Sequence, residues 1–69
     1  METVSFNEPG KYSLTTEQLF NGVKIVLGEG LHMLKDINEP DEYIVSSSVE
    51  ELQKIAESWA LEGAAPFIH

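Results

Sequence analysis

The chain has 69 residues and a formal net charge of −8, from 12 acidic residues against 4 basic ones, and it contains no cysteine. A chain with this charge cannot neutralise a run of phosphates, so we expect no direct binding to nucleic acid. Without cysteine it has neither a disulfide framework nor a cysteine-based metal site, and no apolar stretch approaches the roughly 20 residues that span a bilayer.

The first part of the chain predicts a β-hairpin. Residues 2–6 and 11–14 each alternate apolar and polar side chains, as half-buried strands do. Between them lies Asn-Glu-Pro-Gly, residues 7–10, which is typical of a turn.

The next segment predicts a helix over residues 16–27. Thr15 and Gln18 have the spacing of a capping box, and the apolar side chains that follow lie within one arc of about 120° on a helical wheel. The alternative is a strand over residues 23–27. It is favoured by β-branched residues and by the preceding Asn-Gly pair, a turn signal whose glycine costs a helix roughly 1 kcal/mol.

Residues 31–37 and 42–47 predict two further strands, joined by a turn at residues 38–41. His32, in the first of these strands, is flanked by Leu31 and Met33. Nucleophilic catalysis needs a nucleophile, a base and an orienting group, and the chain offers no cysteine to go with this histidine. We therefore interpret His32 as an ordinary strand residue and expect no enzymatic activity.

A second amphipathic helix is predicted over residues 49–62, with Trp59 as its core anchor. A Ser-x-x-Glu capping box precedes it, its apolar side chains occupy one arc of about 140°, and Gly63 ends it. The apolar tail, residues 64–69, predicts an edge strand, because Pro66 is tolerated there and not within a sheet. The fold class is therefore α+β: one domain over residues 1–69, with a small, mostly antiparallel sheet and one or two amphipathic helices.

Four carboxylates crowd into residues 36–42. The segment fails the EF-hand pattern, because Pro40 stands where the fifth-position ligand should be and no glycine follows it. We interpret it as a solvated loop without metal, with a weak, irregular divalent site as the alternative. The Gly-Glu-Gly of residues 28–30 would repel a phosphate, so no nucleotide cofactor is expected either.

The excess of carboxylates leads to the functional hypothesis. An acidic surface keeps a small protein soluble, but carboxylates held on a rigid surface also imitate a phosphate backbone and bind the basic surface of a protein that handles nucleic acid. In size and charge the chain is comparable with small acidic inhibitors of host defence or transcription from phages and other mobile elements. The candidate partner-binding residues are Asp36, Glu39, Asp41, Glu42, Glu50, Glu57 and Glu62.

The alternative hypothesis is a structural subunit or homo-oligomer. Leu61 lies on the polar side of the second predicted helix, next to the apolar tail of residues 64–69. Together with an edge strand they would form a docking patch, through β-augmentation or through self-association as a homodimer. Under both hypotheses we expect a cytoplasmic protein that does not enter a membrane.

Overall fold

The computed structural model of the protein describes residues 2–69 and gives them six strands and two helices. In chain order these are β1 (Thr3–Phe6), β2 (Gly10–Ser13), α1 (Thr16–Phe20), β3 (Lys24–Leu27), β4 (His32–Asp36), β5 (Glu39–Ser46), α2 (Val49–Leu61) and β6 (Pro66–Ile68). The mostly antiparallel strands and the separate helices confirm the α+β class that the sequence predicts.

Four of the strands form one antiparallel sheet in the order β2-β5-β4-β6. The predicted edge strand in the tail is confirmed, since β6 pairs with β4 alone and begins at Pro66. The other two strands, β1 and β3, form a separate two-stranded parallel sheet.

The molecule has three layers, with the four-stranded sheet in the middle. Phe6 of β1 packs with Met33 of β4 and Val45 of β5 in the main core, so the parallel sheet covers one face. Leu34 follows Met33 along β4 and therefore lies on the opposite face. Leu34 is fully buried, as is Leu52 of α2, and α2 packs against β4, β5 and β6.

Two predictions for the first part of the chain need correction, and the hairpin over residues 2–14 is the first. β1 pairs in parallel with β3, while β2 pairs with β5, so β1 and β2 are not partners. Alternation indicates that a segment is a strand with one buried face, but it does not choose the partner. Here the stacking of Phe6 on Tyr12, with ring centroids 4.2 Å apart, joins the two strands through the core.

The second correction concerns the helix over residues 16–27, which ends at Phe20. Gly22 has a φ of 69°, in the left-handed region that ends a helix. The residues that follow form β3, as the alternative strand over residues 23–27 predicts. The pairing of β3 with β1 outweighs the helical spacing of its apolar side chains.

The two central strands are confirmed, but the predicted turn at residues 38–41 is displaced. The turn consists of Ile37 and Asn38, and β5 already begins at Glu39, which pairs with Asp36. The next pair is Lys35 with Tyr43, so residues 40–42 have no partner on β4, although Glu42 still pairs with Ser13 of β2. A proline is accommodated there because a bulged residue needs no ladder hydrogen bond.

The second helix is confirmed, beginning at Val49 as predicted and ending at Leu61, one residue before the predicted end. The Ser48 Oγ accepts the Glu51 N–H at 3.2 Å, and Gly63, with a φ of 90°, follows the last turn. At 13 residues, α2 is well short of the roughly 20 that a bilayer requires. No helix within residues 2–69 has the length and the apolar character needed to cross a membrane.

Candidate functional site

An open depression lies between the C-terminal end of α2 and the start of β5. Its volume is about 150 Å³. We call it the acidic depression. It is lined by Asp36, Glu39, Glu42, Trp59, Glu62 and Ala64.

The end of α2 forms one wall of the acidic depression through a Schellman motif. The Gly63 N–H donates to the Ala60 carbonyl at 3.1 Å, and the Ala64 N–H donates to the Trp59 carbonyl at 3.0 Å. The last turn contains no basic residue, and Glu62 caps it. The negative end of the helix dipole therefore adds to the negative charge of the depression.

The opposite wall comes from the β4–β5 turn, which Asp36 ties to the chain before β6. Its Oδ1 accepts the Asn38 N–H at 2.9 Å and the Ala65 N–H at 3.1 Å. These bonds hold the turn against the segment that leads into β6. One of the four crowded carboxylates thus has a structural role that is not visible in the sequence.

The negative charge of the acidic depression is hardly compensated by the protein's own lysines. Lys11 Nζ lies 3.6 Å from Glu42 Oε1, and this is the one ion pair in the described part of the chain. Both side chains are more than half exposed, at 66% and 51%, so the pair contributes little to stability. Asp36, Glu39 and Glu62 form no ion pair among residues 2–69.

The structure brings four of the seven predicted site residues together. Asp36, Glu39 and Glu42 come from the β4–β5 segment, and Glu62 joins them from the end of α2. Glu50 and Glu57 are exposed on α2 and do not line the depression.

Asp41, although adjacent to Glu42, also lies outside the acidic depression. Side chains alternate along β5, and the charge of Asp41 acts instead on Tyr43. Burial is the main cause that raises the pKa of Tyr43 above its ordinary value, and the negative charge of Asp41 is the second.

Trp59 is the residue that the sequence places wrongly. Its predicted role as core anchor belongs to Leu52, the one buried residue of α2, while Trp59 is half-buried and lines the acidic depression. The helical wheel puts both side chains on one face. It does not show that the last turn of α2 faces charged residues of β4 and β5, a fact that depends on how the helix lies on the sheet.

The carboxylates of the acidic depression do not form a metal site. Nowhere in residues 2–69 do three His, Asp or Glu side chains come close enough together to hold a metal ion.

In comparisons with known proteins, the chain matches no family model, no curated protein and no solved structure.

Proposed function

We propose that this chain is a non-enzymatic, cytoplasmic binding protein that presents carboxylates to the basic surface of a partner, and that the partner is a protein that handles nucleic acid. One observation supports the proposal above the others. Three carboxylates from the β4–β5 segment and one from the end of α2 meet at the acidic depression, beside the aromatic ring of Trp59. Binding there would inhibit the partner by occupying its phosphate-binding surface.

The physical basis of the proposal is electrostatic complementarity. With a single exposed ion pair among residues 2–69, the surface leaves most of its carboxylates available to a basic partner. Opposite charges on two surfaces steer their encounter and fix their relative orientation. The same attraction is screened by salt, with a Debye length of about 10 Å at 0.1 M.

A capture experiment with two charge-matched variants tests the proposal. The first variant, Glu39→Lys with Glu62→Lys, reverses two carboxylates of the acidic depression. The second, Glu8→Lys with Glu29→Lys, reverses two exposed carboxylates outside it. Immobilised wild type and both variants are offered purified basic nucleic-acid-binding proteins of the native host, and bound protein is then displaced with duplex DNA or with salt.

We expect a partner that binds the wild type and the second variant but not the first. Duplex DNA and salt should displace it, since it holds carboxylates where it would hold phosphates. If the partner binds both variants equally, the net charge of the protein and not the acidic depression determines binding, which would contradict the proposal. Binding that does not change with salt between about 50 and 500 mM would also contradict it.

A second candidate function is self-association through the exposed apolar side chains. Leu61, at the end of α2, is 90% exposed, and Phe67 of the edge strand β6 is 50% exposed. Size-exclusion chromatography with light scattering decides between the two. A dimer that Phe67→Lys dissociates would favour self-association, and a monomer at high concentration would eliminate it.

A further inference from the structure

We propose that Asn21 is a modification site, at which the side-chain amide is lost through a succinimide formed with Gly22, and that the turn after α1 controls the reaction. Asn21 and Gly22 form that turn, between the end of α1 and the start of β3. Neither residue lines the acidic depression, so the inference does not depend on the proposed function.

The reaction needs no catalyst, and its one co-reactant is water. The backbone nitrogen of Gly22 loses its proton and attacks Cγ of Asn21. A bond forms between these atoms, the bond from Cγ to Nδ2 breaks, and the side-chain nitrogen leaves as ammonia. Water then opens the succinimide ring. Cleavage at Cγ gives aspartate, whereas cleavage at the backbone carbonyl carbon gives isoaspartate, in which the main chain runs through Cγ.

The glycine that follows Asn21 distinguishes it from the other asparagines of the chain. Asn7, Asn21 and Asn38 are all exposed, but Asn7 and Asn38 are each followed by a glutamate. A side chain on the following residue crowds the nitrogen that must attack, and glycine has no side chain. The space around Gly22 is open as well, since a Cβ at this position would meet no atom beyond its chain neighbours within 4 Å.

The folded turn holds the two reacting atoms apart. Asn21 has a ψ of 1°, so the Gly22 nitrogen is eclipsed with the backbone nitrogen of Asn21 and is turned away from its side chain. Ring closure requires rotation about this bond until the Gly22 nitrogen comes over Cβ. The Gly22 N–H also donates to the Leu19 carbonyl at 3.2 Å, which engages the proton that has to leave.

Two hydrogen bonds therefore break before the reaction. The first is that of Gly22 with Leu19, and the second joins the Val23 N–H to the Gln18 carbonyl at 3.1 Å. α1 has five residues, none of them buried, so its last turn can open locally while the sheets stay folded. Asn21 should thus react in the folded protein, but about tenfold or more slowly than in the unfolded chain.

The isoaspartate product would prevent the turn from closing again. It adds one carbon atom to the main chain between Cα of Asn21 and the Gly22 nitrogen, so the two hydrogen bonds cannot both re-form in their original geometry. Val23 packs against the main core, and we therefore expect the isoaspartate product to be less stable than the aspartate product. Each product changes the net charge to −8 − 1 = −9.

The test follows the intact protein in mildly alkaline buffer, with and without urea at a concentration that unfolds it. Digestion and mass spectrometry measure the conversion of each asparagine, and an isoaspartyl methyltransferase identifies isoaspartate. We expect conversion at Asn21 while Asn7 and Asn38 stay intact. The rate at Asn21 should be about tenfold or more higher in urea.

Two variants separate the chemistry from its control by the turn. Asn21→Gln keeps an amide but would have to close a larger ring, which forms more slowly, so the glutamine should stay unmodified. Thr15→Ala removes the hydroxyl that accepts the Gln18 N–H at 3.1 Å. It weakens α1 from its other end and should accelerate the conversion of Asn21 about fivefold without urea. The proposal is overturned if Asn21 converts no faster than Asn7 and Asn38, or if urea or Thr15→Ala fails to raise its rate.

Discussion

The carboxylate of Asp36 holds together two parts of the chain that are far apart in sequence. Its Oδ1 accepts one N–H from the β4–β5 turn and one from Ala65, just before β6. The same side chain lines the acidic depression. Its hydrogen bonds and its charge therefore serve different purposes and can be separated by mutation.

Asp36→Ala removes the acceptor of both bonds and should lower the free energy of unfolding by about 1–3 kcal/mol, because two backbone N–H groups lose their partner. Asp36→Asn keeps an oxygen acceptor and should cost clearly less, while still removing the charge. Urea denaturation of both variants measures the difference. Equal destabilisation would show that the charge of Asp36, and not its hydrogen bonds, stabilises the fold.

Tyr43 makes the stability of the protein depend on pH in the alkaline range. Burial first, and the charge of Asp41 second, raise its pKa above 10.0 in the folded protein. At pH values between the pKa of Tyr43 in the unfolded chain and its higher pKa in the folded protein, the unfolded chain has lost the phenol proton that the folded protein retains. The free energy of unfolding therefore falls as pH rises. Its contribution is complete below about pH 10 and is lost as pH rises through the folded pKa.

The prediction is that Tyr43→Phe removes this part of the alkaline loss. Denaturation at about pH 9 and pH 11 should show a smaller decrease for the variant than for the wild type, while the lysines titrate in both proteins. Asp41→Asn should reduce the decrease in part. A variant that loses as much stability as the wild type would contradict the raised pKa.

At the scale of elements, α2 begins with a modified capping box. The Ser48 hydroxyl caps the Glu51 N–H, but Glu51 does not return the bond to the backbone of Ser48. Instead, the Ser46 hydroxyl donates to Glu51 Oε2 at 3.1 Å, and its oxygen accepts the Ser48 N–H at 3.0 Å. The last residue of β5 thereby fixes the start of the helix.

Ser46→Ala should destabilise the protein by about 1–2 kcal/mol, because the Ser48 N–H loses its acceptor and the Glu51 carboxylate loses its donor. Ser47→Ala, an exposed neighbour outside this set of bonds, should change stability by less than about 0.5 kcal/mol. Thermal or urea unfolding of the two variants provides the comparison. Similar small effects would mean that water replaces the Ser46 hydroxyl.

Elements defined by local chemistry could be predicted from the sequence, whereas partners across the chain could not. The start and end of α2 depend on a serine cap and on Gly63, and the edge position of β6 depends on Pro66. The partner of β1 depends on what its apolar side chains bury against, which a period-two pattern leaves open.

The candidate site, too, could be predicted from the sequence only in part. The crowding of carboxylates in residues 36–42 is visible in the sequence. Their meeting with Glu62 and Trp59 depends on where α2 ends relative to the turn between β4 and β5. That relation is a property of packing, and no local pattern contains it.

At the scale of the whole molecule, the net charge of −8 acts over a body of 33 × 27 × 15 Å. The described residues contain one exposed ion pair, which neutralises little of this net charge. At about 10 mM salt the Debye length is ~30 Å, close to the longest dimension, and at about 100 mM it is ~10 Å. Repulsion across the whole molecule is therefore strong at low salt and mostly screened at moderate salt.

We expect the melting temperature to rise by about 3–5 °C between 10 and 100 mM NaCl, since about 1 kcal/mol shifts a domain of this size by some 4–8 °C. A control variant replaces four exposed glutamates, Glu8, Glu29, Glu50 and Glu57, by glutamine, which lowers the net charge to −8 + 4 = −4. Its melting temperature should respond only about a quarter as much, because self-repulsion grows with the square of the net charge. A wild-type melting temperature that is constant or falls would show that repulsion does not limit stability.

The strand order also determines when the protein can fold. β4 and β5 meet across a two-residue turn, so their hairpin closes a short loop and forms early. Gly10 of β2 pairs with Val45 of β5, so β2 has no partner in this sheet until β5 has been synthesised. Contacts of this sequence separation slow folding. The complete sheet therefore forms only after β2 and β6 have joined the β4–β5 hairpin, which closes first.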